Sequence, residues 1–247
     1  MRNVIAAEWR KAWTGSAWWL LPLCGVFLSV LASSGYAAQA EEQLADRQTD
    51  LVAVTDEMVR SWFMLLLFSA LFGAVLVTRE FGSGAIHRSV LLGGTRDRLF
   101  AAKLIVGTAM GVLYAALAAG LAAASPYVFL PGIGESPEWS GDTTLTLLGV
   151  FTVTVLGAPW GVLLGWVLRN QVAAVGTLLV LTLLVDESLL RLVPDAGRFT
   201  MTIAMSSVYR DGKPELLSVP VALLVIGVWL ALAGFVGRRL FTRRDLN

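Results

Sequence analysis

The chain has one cysteine and one histidine among its 247 residues. Cys24 lies inside an apolar run, so there is no disulfide framework and no Cys/His metal spacing. His87 has no second candidate base beside it, which excludes Ser–His and Cys–His catalysis within one chain. Charge is scarce as well. Charged residues make up 15% of the chain against 56% hydrophobic, and the mean hydropathy is +0.71. So few charges cannot cover the core of a soluble domain of this size, and lipid must cover much of the rest. Lysine is the rarer base, with Lys11, Lys103 and Lys213 standing against 16 arginines, a bias that hints at a GC-rich bacterial source. No GxxxxGK[ST] loop occurs, so the chain has no route of that kind to ATP, and any energy must come from a partner.

What is present is apolar sequence in runs of bilayer length. Six are found, at residues 17–36, 62–78, 100–130, 145–168, 172–190 and 219–236. The expected fold is an all-α integral membrane protein, with residues 1–247 forming a single domain of six transmembrane helices. Trp18, Trp19, Trp62, Trp139, Trp166 and Trp229 fall at or near the proposed ends, where indole rings favour the headgroup layer. With the N-terminus in the cytoplasm, the inner side receives 13 basic and four acidic residues and the outer side six basic and 14 acidic. That is the sense the positive-inside bias requires, and it places both termini in the cytoplasm. A rival reading of the start is a cleavable signal peptide, because residues 38–40 read Ala-Gln-Ala.

Before the first span, Ile5, Trp9 and Trp13 recur at helical spacing with Arg2, Arg10 and Lys11 away from them, as in an amphipathic helix lying on the inner leaflet. Small residues recur every fourth position at Gly107, Gly111, Ala115, Ala119 and Ala123, and again at Gly157, Gly161 and Gly165. Such stripes let helix backbones approach closely, within one subunit or between subunits. Residues 186–218 mix charges with Leu189, Leu190, Leu192, Val193, Phe199, Met201, Ile203 and Met205, which predicts short helices at or dipping into the outer leaflet. Phe199 and Ile203 mark this segment as a candidate outer gate. No charge or histidine falls in the middle of a proposed span, and Asp186 and Glu187 read as interfacial at the outer end of the fifth. The relays of ion-driven carriers are therefore missing.

The connection over residues 80–103 reads EFGSGAIHRSVLLGGTRDRLFAAK. Ile86 and Val90 share one helical face, flanked by Ala85 and Ser89, and glycines bracket the segment as a short amphipathic helix. Those two side chains are expected to pack on a partner or on a neighbouring span. This pattern resembles that of type-2 ABC exporter permeases, the membrane subunits of multidrug, lantibiotic and polysaccharide exporters. In that family an acid ending the second span is followed by Gly-Thr, a leucine pair, a Pro/Arg turn and an Ala-Lys entering the third span. Glu80 is similar to the acid, Gly84 to the glycine, Leu91 and Leu92 to the leucines, Arg98 to the turn arginine and Ala102–Lys103 to the Ala-Lys. Ala85 stands where threonine is usual, and no proline occurs among residues 93–96. The ending Phe241, Arg243, Arg244, Asp245 and Leu246 also resembles that of the family.

The resemblance implies a permease of the bacterial plasma membrane that is not itself an enzyme. It implies two copies of a separate ABC ATP-binding subunit, which supply ATP and Mg, and a second permease copy or homologue. No cofactor or metal in this chain and no nucleic-acid partner is implied; membrane lipids surround it. Glu80, Gly84, Ile86, Arg88, Val90 and Arg98 are then the candidates for coupling to the ATPase. The substrate class implied is hydrophobic or amphipathic. A non-transporting membrane scaffold or immunity protein, and an intramembrane enzyme, are the alternatives.

Overall fold

Apolar runs in lipid have one economical way to satisfy every backbone N–H and C=O, which is to close them within helices. The computed structural model describes residues 1–243, and these are helical almost throughout. The ending residues Arg244, Asp245 and Leu246 lie outside the described residues. Helix α1 (Arg2–Ala12) precedes span one, α2 (Ala17–Ala45). Span two joins α3 (Leu51–Arg60) to α4 (Leu65–Gly82) through a 3-10 turn at Ser61–Met64. The short α5 (Ala85–Gly93) leads into span three, α6 (Arg96–Phe129), and span four is α7 (Gly141–Leu168). Span five runs from α8 (Gln171–Val180) through a π-helical stretch, Leu181–Val185, into α9 (Asp186–Leu192). Two short helices, α10 (Pro194–Gly197) and α11 (Met201–Val208), precede span six, α12 (Val219–Arg243). Six helices are long and apolar enough to cross a membrane.

Helix starts are set locally. Asp50 caps α3 by accepting from Ala53 N at 2.7 Å, Thr95 caps α6 through Arg98 N at 3.2 Å, and Ser140 and Asn170 cap α7 and α8 in the same way. Spans extend beyond the apolar windows read from sequence, because the flanking polar stretches are themselves good helix formers. Residues 38–40, read above as a cleavage site, lie within α2, and Ala40 is fully buried against α3 and Leu130.

Spans two and four form the centre of the bundle, and spans five and six lie mostly on its outside. The two central helices touch along a seam of glycines. A Cβ at Gly161 would overlap the Ala70 carbonyl, and one at Gly73 would overlap the Ala158 carbonyl. Gly157 meets Leu66, and Gly107 and Gly111 of α6 meet Val162 and Ala158. The glycines of both small-residue stripes therefore pack inside this chain. Trp62 and Trp166 depart from the headgroup placement expected of them. They are 2% and 0% exposed, because they fill the space between helices. Trp166 is ringed by Phe81, Phe100 and Phe241 at centroid distances of 5.9, 5.4 and 4.2 Å.

Candidate functional site

One end of the bundle, the basal end, gathers α1, α5, the start of α6 and the last turns of α4 and α12. Four charged side chains meet there. Lys103 follows the start of α6 by seven residues, roughly 10 Å along the helix axis. It is 0% exposed and donates to Glu8 Oε2 at 2.7 Å, Glu80 Oε1 at 2.8 Å and the Leu76 carbonyl at 3.1 Å. Lys11 donates to Glu8 Oε1 at 2.6 Å, Glu80 Oε1 at 3.0 Å and Ser89 Oγ at 2.9 Å. Each ammonium thus places all three of its N–H groups, and two cations balance two anions. Burial alone would push the Lys11 ammonium below the usual lysine value, but its bonds to Glu8 and Glu80 outweigh this and raise it.

The network ties four elements together. Glu8 and Lys11 come from α1, Glu80 from α4, Lys103 from α6 and Ser89 from α5. Helix α1 therefore does not simply float on a leaflet by its tryptophans. Glu8 is 2% exposed and faces the bundle with Ala12, while Val4, Ile5 and Trp9 pack around them. Glu80 and Lys103 bring ionisable groups into span ends that hydropathy treats as boundaries. Asp186 also turns inward, at 5% exposure, where an interfacial position was expected. The reason is α11, whose Thr202 amide it accepts from at 3.1 Å.

Helix α5 hangs from this network between two residues with left-handed backbone, Gly84 (φ 67°) and Gly94 (φ 80°), a conformation that side chains resist. Ile86 is 1% exposed and packs with Leu99 and Phe100 inside the chain, and Val90 is half-buried beside it. Of the two partners expected for this face, the structure provides the neighbouring span. The opposite face carries His87, Arg88, Leu91 and Leu92, with the two leucines 80% and 88% exposed. Arg98 is exposed at the first turn of α6. A cleft of about 570 Å³ beside the network is bounded by Lys11, Arg79, Glu80, Ser83, Arg88 and Leu92, so three cations line it against one carboxylate. Arg79 donates to the carbonyls of Lys11 and Thr14, pinning the α1–α2 turn to the end of α4.

The far end of α12 closes the basal surface. Arg96 donates to the Phe241 carbonyl at 2.7 Å, Arg169 to the Leu240 carbonyl at 2.6 Å, and Arg238 pairs with Asp97 at 2.8 Å. At the opposite end, Phe199 is 43% exposed and its carbonyl accepts from Trp229 Nε1 at 2.9 Å, whereas Ile203 is 2% exposed within α11. These two candidates stand apart, with Phe199 before α11 and Ile203 in its buried face.

Sequence reasoning missed Glu8, Lys11 and Ser89 as parts of one site, and it gave Lys103 as an inner-side charge and as the match to the family's Ala-Lys but not as a buried partner of two carboxylates. One signal was available. Two of the three lysines in an arginine-rich chain sit in this network, where a compact ammonium with three rotatable donors fits and a planar guanidinium does not.

The described residues form a helical bundle with six helices of membrane-crossing length and apolarity and a glycine-bracketed helix on its charged basal end, the form of a polytopic membrane protein. The family model for ABC-2 family transporter protein matches residues 4–185, well over half of the chain, and the chain belongs to that family. Members are membrane components of transport, not themselves catalytic, and membership implies association with an ABC ATPase subunit. A search of curated proteins finds no match.

Proposed function

We propose that residues 1–247 form a single permease domain of an ATP-driven exporter in a bacterial plasma membrane, with the basal end and both termini in the cytoplasm. A second permease copy or homologue and two ATP-binding subunits complete the assembly, and the cargo is hydrophobic or amphipathic. ATP and Mg belong to the partner subunits. The observation that carries this reading is the outer face of α5, where Leu91 and Leu92 stand almost wholly exposed beside Arg88 on a helix whose other face is anchored. An apolar pair rimmed by basic groups suits a groove with acidic edges on a partner. Closure of the ATPase pair would push on α5, and the Ser89–Lys11 bond with the Glu80–Lys103 pair would pass the movement to α1, α4 and α6 together. Such coupling requires that ATP binding favour one arrangement of the spans over another. Residues 186–218 would then close the outer side, with Phe199 and Ile203 in the gate region.

The test is co-purification. An ATP-binding-cassette subunit encoded beside this gene should be retained by the tagged permease and released by the double substitution Leu91→Asp/Leu92→Asp, with the permease still inserted and folded. Equal retention by the double variant would remove α5 as the contact. Failure of any such ATPase to bind the parent chain would remove the exporter reading.

A further inference from the structure

A second cavity, of about 410 Å³, lies away from the basal end, within the size range of small-molecule sites. Its walls come from spans four, five and six and from the segment carrying α10 and α11 between the last two. Trp160 belongs to span four, Leu181, Val185 and Asp186 to span five, Phe199 to the segment before α11, and Trp229 to span six. The two indoles meet edge to face with centroids 6.1 Å apart. Trp229 is held in that pose by its bond to the Phe199 carbonyl, so the aromatic wall is pre-set and does not need to be assembled by a ligand.

Of the residues lining the cavity, Asp186 alone is ionisable. It is 5% exposed and has no cationic partner among the described residues. Arg191 and Lys213 pair with Glu187, and Arg198, paired with Asp195, lies over the Phe199 ring at 5.3 Å from its centroid without pairing with Asp186. A carboxylate buried inside a membrane bundle is costly unless a counter-charge joins it, and capping α11 through Thr202 satisfies hydrogen bonding without supplying one. Aromatic faces around a carboxylate attract organic cations by their quadrupoles while shedding water. Val185, Phe199 and Trp229 are each about 40% exposed, so the cavity is open to the outside of the bundle.

The geometry points to a binding site for a hydrophobic organic cation between spans four, five and six, with Asp186 as counter-ion and Trp160, Phe199 and Trp229 as the aromatic wall. Binding is a property of this chain alone. That the occupant is cargo rests on the exporter reading, and the two are tested separately.

The measurement is quenching of tryptophan fluorescence in the purified chain, in lipid nanodiscs without any ATPase, by tetraphenylphosphonium, with neutral triphenylphosphine oxide as comparator. The cation should bind at least about tenfold more tightly than the neutral compound. Asp186→Asn, which keeps shape and an acceptor for Thr202, should weaken binding of the cation and abolish that preference. If Asp186→Asn does not fold, Trp160→Leu and Trp229→Leu take its place, read by equilibrium dialysis with radiolabelled cation, and each should weaken cation binding at least about fivefold. Equal affinity for both compounds, or cation binding indifferent to these substitutions, overturns the site. A cation site present in a chain that retains no ATPase would sink the exporter reading and leave this one standing.

Discussion

Lys103 Nζ lies 2.7 Å from Glu8 Oε2, joining the first helix of the chain to the start of the third span across 95 positions of sequence. The bond is fully buried, and Glu80 shares the same ammonium at 2.8 Å. Removing the cation would leave two carboxylates out of water with only half-exposed Lys11 to balance them. Lys103→Met should therefore cost about 3–5 kcal/mol, the scale of a broken buried pair. Adding Glu8→Gln to it should recover a large part, because Lys11 and Glu80 then balance one another and the loss lies in uncompensated charge more than in missing contacts. Thermal unfolding in detergent gives the comparison. A single variant as stable as the parent would mean that water reaches the network.

The glycine seam makes a steric prediction with its own internal control. Any side chain at Gly161 collides with backbone of α4, which cannot swing aside as a rotamer can. Gly161→Ala should destabilise by about 3 kcal/mol or more, at the upper end of overpacking costs. Gly120, within α6, faces open space, and a Cβ added there would meet no neighbouring atom within 4 Å. Gly120→Ala should therefore gain about 0.5–1 kcal/mol from helix propensity. Melting temperatures moving in the same direction would contradict the seam.

Lys11 predicts an alkaline limit. Its folded value is raised above the ordinary 10.5, so the protonated form is the one the fold favours. The stability it contributes is complete below 10.5 and is lost as pH rises from there through the raised value. The melting temperature of the parent should fall above that point, and Lys11→Met should fall less steeply over the same interval. Equal slopes would show that other groups govern the alkaline limb.

Periodicity and hydropathy made much of this fold legible. The six spans, the amphipathic α1 and the glycine bracket around α5 all follow from patterns a few residues long, which is the range over which helices are specified. The site was not legible in the same way. Glu8 and Lys103 look like any boundary charges when read along the chain, because hydropathy weighs a residue alone and the pair is made only when α1 folds back onto α6. The free face of α5 was recoverable in part. Helical spacing groups Ile86 with Val90, but which face turns inward depends on Leu99 and Phe100 of the next helix. Trp62 and Trp166 were misplaced for a related reason: an indole near a span end satisfies the headgroup rule and a helix crevice equally well.

The outer region yields the last prediction. Helix α11 is buried along nearly its whole length, although the surrounding segment is rich in charge. Two features hold it. Tyr209, just past its end, stacks on Phe63 at 4.8 Å and shares a hydrogen bond with Ser206 at 2.9 Å. Gly149 of α7 lets the Val208–Tyr209 backbone approach, with a Cβ there falling 2.6 Å from the Tyr209 Cα. An ordinary surface loop would exchange its amides freely, whereas a helix seated this way should open only by local unfolding. Hydrogen exchange on the protein in nanodiscs should therefore show strong protection over Met201–Val208. Gly149→Val should lower that protection by about tenfold or more, because the added branch wedges α11 off span four. Protection at α5 and the start of α6, at the other end of the bundle, should stay as in the parent. Fast exchange over α11 in the parent chain would reduce it to a surface segment, and loss of protection at both ends would show a global defect in place of a local one.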